Sequence, residues 1–75
     1  MINKSDHIVL NFNIPEHKLK KGDVGLVIFI HDSGKFEVEF SNMIGEKITV
    51  IKLLSSQIKK IHKIKIHQIG NFDLN

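Results

Sequence analysis

An all-β domain built as a small five-stranded barrel is the fold class this sequence predicts, on three observations. Lys35 to Phe40 alternates cleanly, with Phe36, Val38 and Phe40 on one side and Lys35, Glu37 and Glu39 on the other, the period of a half-buried strand. A second apolar run, Leu26 to Ile30, precedes it across the polar segment His31-Asp32-Ser33-Gly34, which marks a hairpin. Further short β-rich runs recur between turn residues along the chain, the spacing of a small barrel.

In chain order, Asp6 to Phe12 alternates as a first strand, with Ile8, Leu10 and Phe12 on one side. Asn13-Ile14-Pro15-Glu16-His17 breaks the pattern, because proline donates no ladder hydrogen bond and restricts the residue before it. This loop is expected to cross one end of the barrel, with Leu19 as its apolar plug and Lys18, Lys20 and Lys21 in water. Gly22 and Asp23 form a turn and Val24 opens the second strand. Gly25 inside a strand pattern predicts a bulge or a close backbone approach. The continuous run Leu26 to Ile30 leaves open which side faces the core.

Gly34 suits the hairpin turn because it tolerates a positive φ. Ser41 to Glu46 is a second turn pivoting on Gly45. Lys47 to Leu53 follows as a fourth strand, with Ile51 and Leu53 toward the core. Leu54-Ser55-Ser56-Gln57 predicts one 3-10 turn before a closing strand, Ile58 to Ile61. Residues 1–61 thus form the barrel domain and residues 62–75 a C-terminal extension. In that extension Lys63 to His67 alternates like a strand while Ile58, Ile61 and Ile64 share a helical spacing; an extended conformation is favoured, and Phe72 and Leu74 are candidates to dock on the barrel or on another subunit.

A chain of 75 residues has room for one domain, and such a chain buries only roughly 60% of the surface it exposes when unfolded. Cysteine is absent, so no disulfide can staple it. The first residues lack a signal peptide's apolar core, and no run approaches the roughly 18 to 20 apolar residues of a membrane span. A soluble, cytoplasmic protein is expected. The formal charge is +3, carried by lysine alone; with no arginine to read phosphates and guanines bidentately, nucleic acid is the less favoured partner.

The five histidines, His7, His17, His31, His62 and His67, are scattered without metal-ligand spacing, so no metal site is expected. Glu37 and Glu39 share a strand face about 7 Å apart, given a rise of roughly 3.3 Å per residue, a separation compatible with two-carboxylate chemistry. Alternating charge opposite an apolar stripe is, however, the ordinary solvent face of a strand. The sequence holds no nucleophile elbow and no phosphate-binding glycine loop. The reading is therefore of a non-enzyme with no catalytic residues and no cofactor. Glu37 and Glu39, together with Glu16 and His17, are the candidate protein-recognition residues, suited to a basic partner. Lys18, Lys20, Lys21, Lys59, Lys60, Lys63 and Lys65 are the candidates for the alternative, a nucleic-acid-binding barrel. A third possibility is self-association through the Lys63 to His67 segment.

The stretches Asp6-His7-Ile8-Val9-Leu10, Ile14-Pro15-Glu16-His17-Lys18-Leu19, Gly22-Asp23-Val24-Gly25-Leu26-Val27-Ile28, Glu37-Val38-Glu39-Phe40 and Leu53-Leu54-Ser55-Ser56-Gln57-Ile58 together resemble a family of small bacterial proteins catalogued as a domain of unknown function. Lys18 stands where the family commonly has glycine, and Leu54 and Lys60 where it often has proline. The resemblance implies an SH3-like barrel and genes that neighbour toxin-like proteins. It further implies an antitoxin or immunity protein that binds a toxin encoded nearby. It supplies no catalytic residues.

Overall fold

A computed structural model of the chain describes residues 1–42 and 44–62. Five strands, β1 (His7–Leu10), β2 (Val24–Ile30), β3 (Lys35–Ser41), β4 (Lys47–Leu54) and β5 (Ile58–Lys60), form one antiparallel sheet in the order β4-β3-β2-β1-β5. One-turn 3-10 segments lie at Pro15–His17 and Ser55–Gln57. The second is the turn expected before the last strand. The expectation of a closed barrel is not met: β4 and β5 are the two edges, and among the described residues no pairing joins them.

Alternation decides which side is buried. Ile8 and Leu10 of β1, Val27 of β2, Phe36, Val38 and Phe40 of β3, Leu53 of β4 and Ile58 of β5 form one buried cluster. Ile14 and Leu19 from the β1–β2 connection complete it, and Ile2 and Ile51 pack against it. Among the described residues only that connection and Ile2 lie over the inner face, so the sheet itself bends around these side chains to take them out of water. Each fully buried aliphatic or aromatic side chain contributes roughly 1.5–3 kcal/mol, and these are the main favourable contributions in a fold without staples.

The β1–β2 connection is held in place by its own backbone. Pro15 starts the 3-10 turn at the position where its missing N–H costs nothing, and Ile14 and Leu19 pair with each other across it through reciprocal hydrogen bonds of 2.8 and 3.1 Å. Lys18, at the turn's end, takes a left-handed φ of 58°. A lysine holds that conformation at some cost, because its Cβ crowds the following carbonyl oxygen. The β2–β3 turn closes through Gly34 N–H donating to the His31 carbonyl at 2.9 Å, with Gly34 at φ +92°.

Two expectations need correction. Phe12 is 37% exposed rather than inward, because β1 stops at Leu10: Asn11 N–H donates to the Gln57 carbonyl and its side-chain amide to the Ser56 carbonyl, which turns the chain out of the strand. Gly25 is not itself the bulge; the register shift in β2 lies between Val27 and Phe29, with Ile28 the extra residue. Gly25 makes room for side chains instead, since a Cβ there would lie 2.5 Å from Val38 Cγ1 and 2.7 Å from Phe40 Cε1. The run that sequence left open is thereby resolved: Gly25 and Val27 face the core, while Leu26 and Phe29 face outward opposite Glu39 and Glu37.

Candidate functional site

The outward face of the sheet gathers the residues with most potential for recognition. Directly opposed residues on neighbouring strands share a face, so the pairings can be followed across it. One row runs His7, Leu26, Glu39, Val50 across β1, β2, β3 and β4. The next runs Phe29, Glu37, Lys52. Beyond them Lys35 faces Leu54, and Val24 faces Val9, which in turn faces Lys59. Apolar residues therefore stand on the solvent side of three strands, β1, β2 and β4. Phe29 is 50%, Val24 49% and Leu54 47% exposed.

Glu37 and Glu39 lie in the middle of this face, half-buried among those neighbours. Glu37 Oε2 is 2.7 Å from His31 Nε2, and the His31 ring meets the Phe29 ring edge-on at a centroid distance of 4.8 Å. Phe29, His31 and Glu37 thus form one fixed cluster at the hairpin end of the face. The sequence reading placed His31 in the hairpin turn and gave it no part in a site; its place just past the strand, six positions before Glu37 across a hairpin, is the signal that could have paired them. Glu39 has neighbours but no ion-pair partner among the described residues.

Glu16 and His17 are elsewhere. They sit on the first 3-10 turn and line an open groove of about 230 Å³ with Phe12, Ile51, Lys52 and Gln57. Lys52 touches both regions, as a wall of the groove and as the cross-strand partner of Glu37.

The lysines do not converge on one surface. Lys18, Lys20 and Lys21 are exposed on the β1–β2 connection. Lys59 is on the outward face opposite Val9, whereas Lys60 is opposite buried Ile8 and its Nζ lies 3.4 Å from Asp6 Oδ2. The Asn3 backbone N–H donates to the same Asp6 oxygen at 2.7 Å, and this bond, with Lys60 adding to it, holds the Asp6 carboxyl below the usual carboxylate range. Lys63, Lys65 and the self-pairing expected of the extension lie outside the described residues. Among the described residues no group of three or more His, Asp or Glu is placed to hold a metal ion, and no helix is long and apolar enough to cross a membrane.

The model of the family described as Domain of unknown function (DUF4926) matches residues 5–60. The chain belongs to the DUF4926 family. The DUF4926 match begins just before β1 and ends on the last residue of β5, so it spans all five described strands and the two described 3-10 turns. No curated protein and no solved structure matches the chain.

Proposed function

We propose that this DUF4926 chain is a non-enzymatic protein-binding module that recognises its partner through the outward face of the sheet. The observation that carries the reading is the half exposure of Phe29, Val24 and Leu54 beside Leu26 and Val50, on a face interleaved with Glu37 and Glu39. A small domain gains nothing for its own stability from these apolar side chains in water, and an apolar surface rimmed by charge is the composition of a recognition site. In this reading the apolar residues supply the desolvated centre, and the two glutamates select a partner with basic groups at the rim.

The finer reading is that of an SH3-like barrel acting in the bacterial cytoplasm as an antitoxin or immunity protein, masking a toxin by steric occlusion. Strand connectivity supports the fold: a meander β2-β3-β4, a 3-10 turn, and a last strand that returns to pair with β1. The nucleic-acid alternative has weaker support, because Lys60 is engaged by Asp6 and points away from Lys59.

Co-purification with the product of the adjacent gene tests the proposal. A stoichiometric complex that is lost in the doubly substituted Phe29→Ser, Leu54→Ser chain is the expected result. A complex indifferent to that pair of substitutions, or no complex and no relief of toxicity, overturns it.

A further inference from the structure

The strand β4 is one of the two edges of the sheet. It is the longest of the described strands, Lys47–Leu54, paired to β3 on one side in regular register from Thr49 to Leu54, with Ile48 an extra residue before that span. Among the described residues nothing pairs with its other side. Its sequence, Lys-Ile-Thr-Val-Ile-Lys-Leu-Leu, is rich in β-branched residues, contains no proline or glycine and has no acidic residue. Beneath that open edge lies the groove whose apolar lining includes Phe12, Ile14, Ile51 and Leu53. A strand added to β4 would project its inward side chains into this groove and its outward ones beside Val50 and Lys52.

We propose that the added strand is β4 of a second copy, antiparallel across a two-fold axis at Ile51. The register follows from three constraints. Opposed residues must share a face, so the axis passes through a residue and not between two. The longest overlap of the regular span Thr49–Leu54 with itself then requires an axis at Ile51 or at Lys52. Charge separates these. Lysine at a strand edge ordinarily discourages pairing, and an axis at Lys52 would set it against its own copy. With the axis at Ile51, Lys52 faces the second copy's Val50, in the row that continues to that copy's Glu39, while its own Glu37 flanks it on β3. Each Lys52 is then set between two carboxylates, one from each copy. The same axis places the two Ile51 side chains together over the grooves and covers the exposed Phe12.

The protein has no cysteine, so a single introduced thiol reports the register without interference. Ile51→Cys is expected to form a disulfide-linked dimer on mild oxidation, and Thr49→Cys, on the same face but opposed to the second copy's Leu53, is not. Sedimentation equilibrium of the unmodified chain is expected to show a monomer–dimer equilibrium. Val50→Lys, which sets like charges opposite one another, should weaken it on the order of tenfold or more, with circular dichroism verifying that the sheet remains. A single-chain mass at every concentration, as an acidic peptide from another protein on this edge would leave it, overturns the proposal. So does a dimer unaffected by Val50→Lys, or equal cross-linking at positions 49 and 51.

Discussion

Gly25→Ala is a one-carbon change with a cost that can be worked from the geometry. Gly25 lies in extended strand opposite Ile8, so no backbone penalty attaches to a side chain there. The difficulty is space: the new Cβ falls 2.5 Å from Val38 Cγ1 and 2.7 Å from Phe40 Cε1, where real contacts are about an ångström longer. Val38 and Phe40 are 0% and 1% exposed and packed among Ile8, Leu10 and Val27, so neither can retreat without disturbing the others. Overpacking of this kind costs about 1–3 kcal/mol. Loss of glycine freedom in the unfolded chain returns about 0.4–1 kcal/mol. A net loss of about 1–2 kcal/mol is expected, which for a domain of this size lowers Tm by roughly 5–15 °C. Urea unfolding gives the measurement, with a lower midpoint at unchanged slope. Gly25→Ala should cost less in a Phe40→Leu background than in the parent, because part of the clash is with the ring, the rest being with Val38 Cγ1. A Gly25→Ala protein as stable as the parent would refute the account of why glycine is there.

Phe40→Ala should cost about 3–5 kcal/mol, comparable with the entire stability of a domain this small; loss of the cooperative thermal transition by calorimetry is the expected outcome. Gly34→Val, at φ +92° with nothing within 4 Å, should cost about 1–3 kcal/mol through backbone strain alone, seen as a lower urea midpoint without any change in core packing by NMR. Asp6→Asn tests the tie between the N-terminal turn and β5. Asp6 titrates lower when folded than unfolded because Asn3 and Lys60 favour its charged form, so its stabilising effect is complete above the unfolded carboxylate range and fades as pH falls through the folded value. The stability difference between parent and variant should therefore be present at neutral pH and vanish on acidification, as followed by urea midpoints across that range.

The parts legible in the sequence are those where local pattern and tertiary environment agree. The β2–β3 hairpin is readable because the alternation of Lys35 to Phe40 and the turn residues before it reflect the same geometry. Leu19 is readable as a plug because it is the lone large apolar side chain among lysines. Phe12 misleads because it extends the alternation of Ile8 and Leu10 past the point where Asn11 turns aside to meet the second 3-10 turn, a contact with residues far along the chain. Ile14 is hidden for the reciprocal reason: a proline follows it, and only the Ile14–Leu19 bridge turns it inward. On the outward face, Glu37 and Glu39 follow from alternation. Their apolar neighbours Phe29, Leu26 and Val50 depend on the Ile28 bulge and on cross-strand register, which no single strand encodes.

The position of β1 between β2 and β5 has a consequence for how the sheet is assembled in time. The meander from Val24 to Leu54 consists of adjacent hairpins and needs only short loops to close. β1, although made first during synthesis, has one neighbour at the far end of the domain, because Ile8 is opposite Lys60 and Leu10 is opposite Ile58. That pairing closes almost the whole domain into a loop, with an entropic cost that local contacts must already have offset. The β1–β5 pairing can therefore form on the ribosome only after β5 has emerged.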